Sequence, residues 1–135
     1  MIAKKEKTTA VLISELDDII SKYVRLTYAD FRGFCKCVCC DTVAHWTKMD
    51  CAHFIPRSNM ATRFYLPNLR PASKLCNQFD SSNHLRRWSG KMSANEWTDL
   101  TFKAKSLMKW TKPELQSMIE EYKEKVQQLK KQKHL

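Results

Sequence analysis

Long apolar runs are missing from this chain: no segment approaches the roughly eighteen consecutive apolar residues of a membrane span. Nor does Met1-Ile2-Ala3-Lys4-Lys5 lead into the apolar core of a signal peptide. A membrane partner is thereby excluded, and a cytoplasmic protein is expected. In a reducing compartment six cysteines are poor disulfide candidates, so their spacing says more than their number. Internal repeats are missing too, and no low-complexity stretch precedes the basic tail. At 135 residues with 43% apolar content, one domain over 1–135 is expected.

Acidic side chains are scarce, and unevenly so. Against 24 Lys+Arg stand 14 Asp+Glu, a net charge of +10. Within residues 51–91 Asp80 alone opposes Arg57, Arg63, Arg70, Lys74, Arg86, Arg87 and Lys91. Such an excess points to a polyanion, because neutralising phosphates releases condensed counterions. Nucleic acid is the first candidate. Arg57, Arg63, Arg70, Lys74, Arg86 and Arg87 are the expected DNA contacts, whereas the Lys-rich tail after Lys130 reads as a solvated face. Trp88, Trp97 and Trp110 are expected in the core.

Periodicity divides the chain into three parts. Val11, Leu12, Ile13, Leu16, Ile19, Ile20, Tyr23 and Val24 recur at helical spacing, predicting an amphipathic helix over 10–26. From Gly33 to Asn83 that period disappears; Gly33, Pro56, Pro67 and Pro71 punctuate short runs that suit a hairpin, a loop and a short helix from about Leu75. After it, Ser93-Ala94-Asn95-Glu96 and Thr111-Lys112-Pro113-Glu114 fit the capping box, predicting two helix starts. In the second, Leu115, Met118, Ile119, Tyr122, Val126 and Leu129 form a stripe that could pack on the first helix or pair with a second copy.

The chemistry-bearing residues lie in the middle part. Cys37 and Cys40 form a Cys-x-x-Cys knuckle, with Cys76 the obvious third thiolate for a zinc ion. The run Cys37-Val38-Cys39-Cys40, His45-Trp46, Asp50 to Ser58, Ala61 to Phe64, Asn68, Cys76-Asn77 and Asn83 resembles the phage NinG family, also called Rap. The segment Lys109-Trp110-Thr111, Glu114-Leu115 and Glu121-Tyr122-Lys123 is similar to that family's C-terminal part.

The resemblance implies an α+β fold. An HNH-like ββα-metal and zinc-knuckle core over 33–90 would be flanked by an N-terminal helix and by a C-terminal helical segment over 91–135. It implies a phage recombination endonuclease that cuts branched DNA such as Holliday junctions and displacement loops, in the host cytoplasm, with phage or host recombination proteins as possible partners. Paired cuts favour a homodimer.

Phosphodiester hydrolysis needs an activated water, charge stabilisation at the phosphate and help for the leaving oxygen, which one imidazole and one divalent cation can supply. His53 is the expected general base and Asn68 its orienting residue. Asn77 is expected to offer its carbonyl oxygen to Mg²⁺ or Mn²⁺. Where many HNH sites carry an acidic or His ligand before the base, this chain has Ala52. Help for Asn77 is therefore expected from Asn83, Ser81 or His84. Where the family pattern places a fourth Cys the chain has Ser73, leaving Cys51, Cys35 and His45 as candidate fourth zinc ligands. The competing readings are a non-catalytic zinc-knuckle module that binds DNA or recruits a recombinase, and an RNA-binding regulator.

Overall fold

The computed structural model describes residues 5–79 and 81–135; Met1 to Lys4 and Asp80, the lone acid of the basic stretch, lie outside them. Helix α1 (Thr9–Tyr28) begins where the Thr8 hydroxyl accepts the Val11 N–H, and it buries Leu12, Leu16, Ile20 and Val24 along one face. Helix α5 (Lys112–Lys133) starts in a full capping box: the Thr111 hydroxyl accepts the Glu114 N–H, and the Glu114 carboxylate reaches back to the Thr111 N–H. Its buried stripe is Leu115, Ile119, Tyr122 and Val126.

These two helices lie side by side and run in the same direction. Near their starts Lys112 meets Glu6 at 3.2 Å. Midway Tyr23 and Tyr122 stack edge to face at 5.1 Å. At their ends the Lys133 ammonium donates to the carbonyls of Leu26, Thr27 and Ala29, at 2.7, 3.1 and 2.7 Å. A helix leaves its last carbonyls without intrahelical partners, and Lys133 satisfies those of α1. The basic tail expected to be a solvated face is therefore partly structural: Lys133 caps α1, and Lys130 lies over the Trp46 ring.

Everything else is inserted between that pair. Strands β1 (Phe34–Lys36) and β2 (Val43–His45) form an antiparallel hairpin whose turn, residues 37–42, carries the Cys-x-x-Cys. Gly33 precedes it with φ +89°, and a Cβ there would meet the His45 ring at 2.5 Å, so glycine is required on both counts. Strands β3 (Asp50–His53) and β4 (Leu69–Ala72) form a second antiparallel ribbon, with Asp50 opposite Ala72 and His53 opposite Leu69. Helices α2 (Lys74–Phe79) and α3 (Ser81–Ser89) follow directly, and α4 (Ala94–Ala104) starts where the Ser93 hydroxyl accepts the Glu96 N–H.

Side chains alternate across a strand, so the ribbon separates two cores. Cys51 and Leu69 join Leu16, Ile20, Leu115 and Ile119 on the α1–α5 side. Ala52 and Ala72 join Cys37, Cys39, Cys76 and Trp88 on the side of the knuckle and α3. Trp88 is buried and Trp110 partly so, donating its indole N–H to the Met60 carbonyl. Trp97 departs from the expected core position: it is half-exposed and touches Phe54 only edge-on, because α4 packs on the outside of the ribbon's loop. No described helix is long and apolar enough to cross a membrane.

Candidate cleft and metal centre

A polar cleft of about 400 Å³ runs alongside β3. Arg25 enters from α1, Arg57 from the loop after β3, and Lys74, Asn77 and Gln78 from α2, while Asp50 and Cys51 belong to β3 itself. Asp50 organises the α2 side. Its carboxylate accepts from the Lys74 ammonium at 2.6 Å and from the amides of Asn77 and Gln78 at 3.0 Å each. Burial works to raise the Asp50 pKa, but these three hydrogen bonds outweigh it and hold the carboxyl below the usual range. Sequence reasoning passed over Asp50, since the basic stretch begins one residue after it and the acidic ligand was sought next to His53. The signal was present in strand alternation, which places Asp50 and Ala52 on one face.

His53 ends β3 on the opposite face, the one it shares with Cys51 and Leu69. Its Nε2 lies 3.1 Å from the Arg63 carbonyl. A carbonyl only accepts, so this contact assigns the proton to Nε2 and leaves Nδ1 with its lone pair in the neutral ring. Burial first, then the Arg57 cation, pushes the His53 pKa down to about 4. The unfolded chain takes up this proton near 6.5 while the folded chain withholds it until about 4, so stability falls as pH drops through that window. Thermal unfolding across it should show a loss that His53→Gln, which cannot titrate, lacks.

Asn68 is fully buried, but its amide does not hold the imidazole. Its Oδ1 accepts the Ile55 N–H at 2.7 Å, and its Nδ2 donates to the carbonyls of Ile55 and Thr62 at 3.0 and 3.1 Å. Asn68 staples the loop between β3 and β4, and that loop presents the Arg63 carbonyl. The orienting group for His53 is thus a backbone oxygen that no residue type announces.

The basic residues divide by what already occupies them. Arg57 and Lys74 line the cleft. Arg63, expected on phosphate, is instead committed inside the fold: its guanidinium forks the Asp17 carboxylate at 3.1 and 2.6 Å, with side chains only 19% and 11% exposed. The acid comes from the distant α1, outside the basic stretch around Arg63. Arg70 donates to the Leu69 carbonyl at 2.8 Å and lies over the Tyr28 ring, so it too serves packing. Arg86 and Arg87 stand exposed in the last turn of α3. Arg25, unremarked in the sequence, is half-buried and donates to the Trp46 carbonyl at 3.0 Å.

The knuckle forms the second centre. The sulfurs of Cys37, Cys40 and Cys76 lie within 4.8 Å of one another, a grouping that could hold a metal such as zinc. None of Cys51, Cys35 or His45 joins them. Cys51 sits in the α1–α5 core, where burial pushes its thiol up to about 12. The Cys35 thiol is likewise raised by burial, and His45 Nδ1 sits 2.8 Å from the Thr47 hydroxyl. Burial works to raise the Cys40 thiol as well, but hydrogen bonds at Thr42, Cys76 and Cys37 overcome it and bring Cys40 down to about 6. That favours a thiolate, the form that binds metal. His84, a candidate helper for Asn77, is buried on this side with Nδ1 2.8 Å from Cys39 Sγ. Ser81 and Asn83 lie on α3.

A family model described as that of the bacteriophage lambda NinG protein matches residues 2–132. No curated protein and no solved structure matches the chain.

Proposed function

Because this chain belongs to the family of the bacteriophage lambda NinG protein, we propose that it is a divalent-metal-dependent, structure-selective DNA endonuclease that hydrolyses phosphodiesters in branched recombination intermediates. One observation carries the reading: a cation-lined cleft runs along a strand that ends in a histidine whose ring is neutral, anchored through Nε2 and bare at Nδ1. The sequential arrangement of β3, β4 and α2 is in keeping with a ββα-metal site.

In this reading His53 Nδ1 takes the proton of the attacking water, and the Arg63 carbonyl holds the imidazole in the required tautomer. Arg25, Arg57 and Lys74 would neutralise the phosphates that enter the cleft. Asp50 and Asn77 would hold the divalent cation, because carboxylate and amide oxygens are the hard donors that Mg²⁺ or Mn²⁺ takes. When bound, that cation would stabilise charge on the phosphate and the leaving oxygen. Arg86 and Arg87 on α3 would contact DNA outside the cleft.

The experiment compares cleavage of a synthetic four-way junction with that of a matching linear duplex, in Mg²⁺ and in EDTA, for the wild type and His53→Ala. Wild type should cut the junction only with metal, and loss of the base should slow cutting by about a hundred- to ten-thousand-fold while DNA binding persists. Unchanged cutting by His53→Ala would remove the histidine from the mechanism. A second reading, a non-catalytic zinc-knuckle DNA-binding or recombinase-recruiting module, is favoured by the placement of His53 and Asp50-bound Asn77 on opposite faces of the ribbon. Binding without cutting in Mg²⁺ and in Mn²⁺ would select it. Competition by RNA as strong as that by branched DNA would count against both.

A further inference from the structure

We propose that the three-cysteine centre is completed by the hydroxyl of Ser73, making it an S₃O zinc site in which a residue outside the cysteine pattern is the fourth protein ligand. Ser73 Oγ lies 3.8 Å from Cys40 Sγ. With Zn–S near 2.3 Å and Zn–O near 2.1 Å, a sulfur–oxygen edge of a tetrahedron is about 3.6 Å and a sulfur–sulfur edge about 3.8 Å. The Ser73–Cys40 separation thus matches a tetrahedral edge, and the three sulfurs, within 4.8 Å of one another, need only a small contraction to form the opposite face.

The hydroxyl also has the capacity for this role. Ser73 directly precedes α2, and its Oγ accepts the Cys76 N–H at 3.2 Å while its carbonyl accepts the Asn77 N–H at 2.9 Å. Helix capping therefore uses one lone pair, and a hydroxyl carries two. The same N–H bond holds Ser73 beside Cys76, so the residue that starts the helix is fixed against two of the ligands. Cys39 is close in sequence, but its sulfur is engaged with the His84 imidazole at 2.8 Å and lies outside the cluster.

A hydroxyl is a harder and weaker zinc donor than a thiolate. An S₃O site should bind thiophilic metals with lower affinity than a four-thiolate site and exchange them more readily. Its net charge would be one unit less negative. In the native chain the zinc centre is thereby tuned by a single side chain at the junction of β4 and α2.

The test uses the full chain loaded with cobalt(II) or zinc and requires no cleavage, so its outcome is independent of the nuclease reading. Thiolate-to-cobalt charge-transfer intensity should count three sulfurs in the wild type and four in Ser73→Cys. The ligand-field bands of Ser73→Cys should move to lower energy, and its zinc affinity should rise at least tenfold. Ser73→Ala weakens binding whether Ser73 is a ligand or only a helix cap, so affinity alone does not decide. Azide does: it should leave the wild-type cobalt spectrum unchanged, because the fourth vertex is filled by protein, and perturb that of Ser73→Ala, where solvent occupies the vertex. A wild-type spectrum as sensitive to azide as that of Ser73→Ala, a wild type with four-thiolate intensity, or failure of the wild type to bind cobalt would overturn the assignment.

Discussion

Cys76→Ala should strip zinc from the chain and melt the half of the molecule built around the knuckle. Structural zinc typically contributes on the order of 10 kcal/mol of folding free energy, and a site with three thiolates has none to spare. Cys76 is also one wall of the core that contains Cys37, Cys39, Ala52, Ala72 and Trp88. A metal bound there would tie the 37–42 turn to α2, and its loss would remove that tie. The checks are zinc content, tryptophan fluorescence reporting on Trp88, and thermal unfolding with and without chelator. Wild type should lose stability on chelation, and Cys76→Ala should start where chelated wild type ends. A wild type that carries no zinc and ignores the chelator would remove the metal from the fold.

Arg63→Met should cost about 3 to 5 kcal/mol of stability, because it leaves Asp17 buried without its counter-charge. The pair is nearly enclosed and bidentate, unlike the exposed pairs Lys91–Asp41 and Lys112–Glu6, which solvent screens. Restoring neutrality with Asp17→Asn on top of Arg63→Met should recover part of the loss, since the two changes share one interaction. Urea unfolding gives both numbers. Had Arg63 been a phosphate ligand, the same substitution would have left stability in place and reduced the salt dependence of DNA binding. The two behaviours are opposite enough that one titration of each kind decides.

Much of the architecture could be read from the sequence because it rests on local signals. The four-residue spacing of Leu12, Leu16, Ile20 and Val24 predicted a helix over 10–26, found at Thr9–Tyr28, and the Thr111–Glu114 capping box predicted the start of the helix found at Lys112–Lys133. Cys37 and Cys40 were legible for the same reason, since Cys-x-x-Cys in a turn is local, whereas Cys76 on the distant α2 was reached through its residue type alone. What could not be read depended on partners far along the chain. Arg63 finds Asp17 46 residues away, and Lys133 finds the end of α1 more than a hundred residues away. The His53 ring is anchored by a backbone carbonyl, and peptide oxygens occur at every position. Asp50 escaped notice because its importance lies in its three donors from α2, not in its sequence neighbours.

The clasp between Lys133 and the end of α1 also bears on how the chain reaches this structure. The two helices with the largest shared apolar face are the first and the last, separated at the clasp by 107 positions. Their pairing needs closure of a loop that contains both ribbons, the knuckle and three helices, a non-local step that folds slowly and is costly in chain entropy. A nascent chain would therefore hold α1 with the α5-facing part of its apolar stripe uncovered until α5 has been synthesised. Maturation of the candidate cleft, one wall of which is α1, is then tied to the synthesis of α5: shorter products hold Arg25 beside β3 only through the ribbon's own contacts with α1 and the Trp46 carbonyl.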